Sequence, residues 1–127
     1  MKQQMEDLEN IQDLVDDIKD NYLDALDDAK EKMDDQIDQY ERVNDLIEHN
    51  VKLVDLLYGD KAYDTMNKYY DLQKANNERE LQSLKMQQDY WQNLMNNETV
   101  GSDAWKAMKE NLDDVTDNLN SKLEDMI

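Results

Sequence analysis

The sequence predicts an all-α protein: a long antiparallel helical hairpin with a third helix folded onto it, a coiled-coil-like three-helix bundle forming one elongated domain over residues 1–127. Three observations carry this. An apolar stripe from Leu8 to Tyr58 keeps a three/four step with no Gly or Pro inside it. Glycine occurs only twice in the chain, and each time next to capping residues. The composition, 39% hydrophobic with a net charge of -18, is too polar for an ordinary globule, yet a narrow helical core stripe accommodates it. A disordered acidic chain has no reason to keep such a seam.

Helix 1 is expected over residues 3–58. Its seam reads Leu8, Ile11, Val15, Ile18, Tyr22, Ala25, Ala29, Met33, Ile37, Tyr40, Val43, Ile47, Val51, Val54 and Tyr58. Asp is frequent along it and is a poor helix former, so the helix depends on packing. Gly59 can take the left-handed conformation that ends a helix, and Asp60 can cap the next. Helix 2 then runs over 61–96, with Ala62, Met66, Tyr69, Tyr70, Leu81, Leu84, Trp91 and Met95 as its apolar positions and a polar middle from Gln73 to Glu80. Asn96, Asn97 and Gly101 break it. Ser102 caps helix 3, over 103–126, with Asp103 favourable in the first turn. Its seam is Trp105, Met108, Leu112, Val115, Leu119, Leu123 and Met126.

Folding back at Gly59 sets residue 59-n against residue 60+n. Leu84 then faces Met33 or Ile37, and Trp91 faces the small Ala25 and Ala29, a large side chain against two small ones. Helix 2 ends near position 22 of helix 1, so the first twenty residues project uncovered. Helix 3 is expected to stop near the level of Ile47, which leaves the hairpin tip as two helices. The candidate protein-interface residues follow: Leu8, Ile11, Val15 and Ile18 on the projecting seam, and Leu53, Leu57, Tyr63 and Tyr70 at the tip.

Charge narrows the partners. Residues 1–58 carry 6 basic and 18 acidic groups, and the rest 8 and 14. Nucleic acid and anionic lipid are repelled by both halves. No apolar run reaches the roughly 18 residues of a membrane span, and the N-terminus has no apolar signal-peptide core. No Cys is present, so neither a disulfide framework nor a thiolate metal site arises.

No constellation of catalytic residues emerges. His49, the one histidine, reads as a solvated position beside the seam. Ser83, Ser102 and Ser121 lack an elbow motif or a neighbouring His. The pairs Asp16-Asp17, Asp27-Asp28, Asp34-Asp35 and Asp113-Asp114 lie inside helices and not in a calcium loop, so they read as a solvated face. Asp28/Lys32, Asp38/Arg42, Glu48/Lys52 and Asp64/Lys68 have the spacing of supporting ion pairs. Met33, Met66, Met95, Met108 and Met126 fall on the seams and read as core. Neither a cofactor nor a metal is expected, and the chain reads as a non-enzyme.

The stretch EHNVKLVDLLYGDKAYDTMNKYY (48–70), MQQDYWQNLMNNET (86–99) and SDAWKAMKENLDDVTDNLNSKLED (102–125) resembles the helical repeats of large internal virion proteins of tailed bacteriophages, tape-measure proteins among them. In that class a hairpin ends in a Tyr-Gly turn, and a Trp-containing helix precedes an Ala-Trp helix. The resemblance implies a structural protein of the particle or tail lumen, one segment of a longer polypeptide, located in the virion; outside that setting the reading is cytoplasmic. The expected function is assembly through helical packing, with copies of itself or neighbouring segments as partners and an oligomer as the product. The alternative is an acidic helical chaperone or adaptor that binds a protein through its hairpin tip.

Overall fold

A computed structural model describes residues 2–59 and 63–127. It contains three helices: α1 (Lys2–Tyr58), α2 (Tyr63–Asn96) and α3 (Asp103–Met126). The all-α expectation holds, and the helix boundaries agree with the sequence reading to within a residue wherever they can be compared. The capping role of Asp60, the seam position of Ala62 and the first residues assigned to helix 2 lie outside the described residues. At 57 and 34 residues, α1 and α2 extend about 85 and 50 Å.

Both breaks have the conformation their residues favour. Gly59 has φ 55° and Gly101 φ 85°, a region costly for any residue with a Cβ. Ser102 is extended, and its Oγ accepts from the Trp105 N–H at 3.1 Å, satisfying one free donor of the first turn of α3.

The hairpin register comes from polar contacts. Gln73 bonds Glu48, Asn44 bonds Asn77, and the Gln87 amide donates to the Met33 carbonyl. These pairings match the fold-back at residues 59/60 to within two positions. α3 runs parallel to α1 in a register of 84 residues, set by Lys19–Asp103 and Lys30–Asp114. That register ends α3 near residue 42 of α1, five residues short of the expected Ile47. α1 and α3 both lean on α2 and touch each other little.

The core is one cluster: Leu26, Ile37, Leu84, Trp91, Met108, Val115 and Leu119, with Leu23, Ala29, Met33, Tyr40 and Leu112 packed around it. Trp91 is fully buried. Its expected neighbour Ala29 is in place, whereas Ala25 is exposed and Leu26 takes the inward position. Turning Leu26 inward removes much more apolar surface from water than Ala25 could, and this shifts the seam by one residue at that turn. Val43 is likewise exposed, and Asn44 faces α2 in its place, because Asn76 and Asn77 opposite need hydrogen-bond partners. Tyr22, Tyr58, Leu123 and Met126, all counted on the seams, are exposed as well: Tyr22 and Tyr58 lie where a neighbouring helix has ended, and Leu123 and Met126 lie at the end of α3 itself.

The four expected i,i+4 ion pairs are not formed. Lys30 instead bridges Asp34 on its own helix and Asp114 on α3. A solvated i,i+4 pair contributes only about 0.3–0.5 kcal/mol, too little to hold two long side chains together.

Candidate protein-interaction surfaces

Two ends and a middle must be distinguished. At the N-terminal end the Lys19 ammonium lies 2.5 Å from Asp103, at the start of α3. This contact raises the Lys19 pKa and lowers that of Asp103, chiefly through their shared hydrogen bond. It also places the α2–α3 turn against residue 19. Residues 2–18 therefore project as a bare helical arm about 25 Å long. Leu8, Ile11, Val15 and Ile18 are all more than half exposed on it, with Met5 on the same projecting seam, and they are joined by Leu14, which the three/four step does not include. The arm stripe continues the face of α1 that α2 and α3 cover further along the chain. Tyr22 marks the transition. Its hydroxyl pKa is raised by burial first, then by Glu98 and Tyr90.

At the opposite end the hairpin tip is apolar and barely packed. Val51, Val54, Met66 and Tyr69 are half-buried between the two helices. Leu53, Leu57, Tyr63 and Tyr70 are exposed, and so are Leu56 (81%), Tyr58 and Leu72. The sequence of residues 49–72 holds three lysines and four aspartates, so the tip is close to neutral on a chain of net charge -18. All eight sequence-derived interface residues thus sit on uncovered surface, and the structure gathers them into two separate groups at the two ends of the rod.

The middle holds what the sequence reading missed. Asn76, Glu80, Ser83 and Gln87 are buried on α2. Their spacing of four, three and four is the rhythm of a helical seam, continued to Trp91 by another four. The signal was visible in the sequence, but polar side chains filled it. Asn76 donates to the Tyr40 carbonyl (2.8 Å) and to Asn44 (2.9 Å). Glu80 is only 1% exposed, and its Oε2 lies 2.5 Å from the Lys122 ammonium. Lys122 also donates to Asn77 at 2.7 Å. Glu80 Oε1, Trp91 Nε1 and Asn111 Nδ2 are buried without a hydrogen-bond partner among the described residues.

Beside this polar layer, between α1 and α3, runs an open groove of about 940 Å³. Asp38, Glu41, Asp45, Glu48 and Asp125 line it, with Glu80 and Lys122 on its floor. Burial raises the Glu41 pKa first, and Glu80 and Asp38 add to that. Lys30, which bonds the groove-lining Asp34 and Asp114, is lowered by burial but raised further by Asp114 and Asp34, so its pKa is up on balance. A second, smaller hollow of about 370 Å³ lies on the α1/α2 face and includes Met33, Tyr40, Met86 and Tyr90.

Among the described residues no three His, Cys, Asp or Glu side chains converge as metal ligands. Among them, too, no helix is long and apolar enough to cross a membrane. His49 is exposed. Compared with known proteins, the chain matches no protein-family model, no curated protein and no solved structure.

Proposed function

We propose that this chain is a non-enzymatic structural or assembly protein that works by joining helices end to end. The observation that carries the reading is the distribution of burial along α1. Its middle is packed against two helices, while its N-terminal stripe and the hairpin tip expose leucine, isoleucine, valine and tyrosine side chains that three helices of these lengths leave uncovered. Apolar side chains repeated in helical register are what a neighbouring helix covers in a larger assembly. The resemblance of residues 48–125 to internal virion proteins supplies a setting, the particle or tail of a tailed bacteriophage, in which this chain is one packed segment among several.

A second reading, an acidic chaperone or adaptor gripping its client with the tip, is favoured by one observation. The tip is the near-neutral, aromatic end of an otherwise strongly acidic rod. The two readings separate by which end binds. Full-length protein, protein lacking residues 1–18, and a Leu56→Asp/Leu57→Asp tip variant are compared by light scattering and by capture from a source lysate. Assembly predicts association that is lost with the arm. The adaptor predicts a monomer that captures one partner and loses it in the tip variant. A strict monomer that binds nothing through either end refutes both.

A further inference from the structure

We infer that the N-terminal arm pairs antiparallel with the arm of a second copy of this chain, forming a twofold dimer centred between Ile11 and Gln12; the inference rests on the assembly reading and names its partner. The arm stripe is self-complementary. Inverting the arm about its midpoint carries Met5 onto Ile18 and Leu8 onto Val15, and brings Ile11 beside its own copy. An isologous interface requires such a patch, one that matches itself under a twofold axis.

Charge distribution then selects the partner and the direction. On a helix of 3.6 residues per turn, Asp13, Asp16, Asp17 and Asp20, with Glu6 and Glu9, lie on the side of the arm away from Ile11. Neutral Gln3, Asn10, Gln12 and Asn21 flank the stripe. Asp7 is the one acid on the apolar side, and its side chain accepts from Gln3. In the antiparallel pair it and its mate stand about 13 Å apart, beyond the roughly 8 Å screening length at physiological salt. A parallel pair would instead set two bodies of the same acidic chain side by side. The antiparallel pair keeps them at opposite ends of an overlap about 24 Å long, where salt screens them. Each arm's N-terminus then reaches the partner's α2–α3 turn, so the whole uncovered stripe is used.

The chain has no native cysteine, which makes the geometry directly testable in the full-length protein. Sedimentation equilibrium at high micromolar concentration should give twice the 15.1 kDa of one chain. Ile11→Asp sets two carboxylates against each other at the axis and should return the mass to one chain. The melting temperature of the body should stay at the parent level, because Ile11 is exposed and lies outside the core cluster. Under mild oxidation Ile11→Cys should cross-link to itself. Met5→Cys should not, but it should cross-link when mixed with Ile18→Cys. A dimer that survives Ile11→Asp, or Met5→Cys that self-links as readily as Ile11→Cys, overturns the inference and leaves the assembly reading intact. A monomeric parent also overturns it, and the assembly reading then depends on capture of a different protein by the arm.

Discussion

Lys122→Met is the most informative single substitution in the body of the rod. It keeps the aliphatic stem but removes the one cation among the groove's described lining residues. Glu80, whose side chain is 2% exposed, then keeps a buried charge facing Glu41, Asp38 and Asp45 with no counter-ion. Removing one partner of a buried ion pair costs about 3–5 kcal/mol. The Lys122 side chain is 13% exposed and the groove is open to water, which sets the expectation at the lower end, about 3 kcal/mol. Unfolding entropy near 2.1 cal/mol/K per residue over 127 residues turns this into a fall in Tm of about 11 °C. Replacing both partners, Glu80→Leu with Lys122→Met, removes the orphaned charge and should return stability to within about 1 kcal/mol of the parent. Urea denaturation followed by circular dichroism measures all four corners of the cycle. If Lys122→Met costs less than about 1 kcal/mol, or if the double variant is as unstable as the sum of the singles, the pair is not coupled as described.

Gly59→Val should cost roughly 1–2 kcal/mol as backbone strain, since among the described residues a Cβ at Gly59 meets no atom within 4 Å; an unchanged melting point would mean that α1 does not end there. Trp91→Ala should cost about 3–5 kcal/mol in the same denaturation assay, whereas Ala25→Leu, on the exposed side of α1, should stay within about 0.5 kcal/mol of the parent. Stability should rise as pH falls from 7 toward 5. Glu41 has a folded-state pKa above its ordinary value, so protonation favours the folded chain, and the net charge of -18 shrinks in the same range. Further acidification through the range in which free aspartate titrates should cost stability, because Asp103 is lowered by Lys19 and loses that contact on protonation. Thermal melts across this range at two salt concentrations check both signs, and added salt should raise stability most at pH 7.

Helix number, boundaries and register were legible in the sequence because each depends on a local signal. Gly59 and Gly101 mark the breaks, Ser102 caps α3, and three/four spacing gives each helix its face. The uncovered ends were legible for the same reason: helix length is arithmetic once the breaks are known. Rotation about the α1 axis was not. Ala25 and Leu26 are adjacent, both are apolar, and only the simultaneous demand of α2 and α3 turns Leu26 inward. The polar layer was not legible either, because Asn76, Glu80, Ser83 and Gln87 look like surface residues until their partners, Asn44, Tyr40, Met33 and Lys122, are brought together by the hairpin. The ion pairs failed in a related way. Lys30 reaches a carboxylate 84 positions away, a contact that no local spacing rule contains.

The taper of burial along α1 divides one continuous helix into segments that must open at very different free energies. From Leu23 to Tyr40, backbone amides are shielded by Trp91, Leu84, Met108 and Val115, and they exchange their hydrogens only when that core comes apart. At the tip, Val51, Val54, Met66 and Tyr69 are the half-buried apolar side chains, so the hairpin end can fray and re-form while the body stays folded. On the bare arm only intrahelical bonds slow exchange, in a sequence rich in aspartate. Hydrogen exchange along this single helix should therefore rise from a protected centre toward both ends. Whatever binds an end should extend protection inward from that end, so that the exchange map itself reports which surface is occupied.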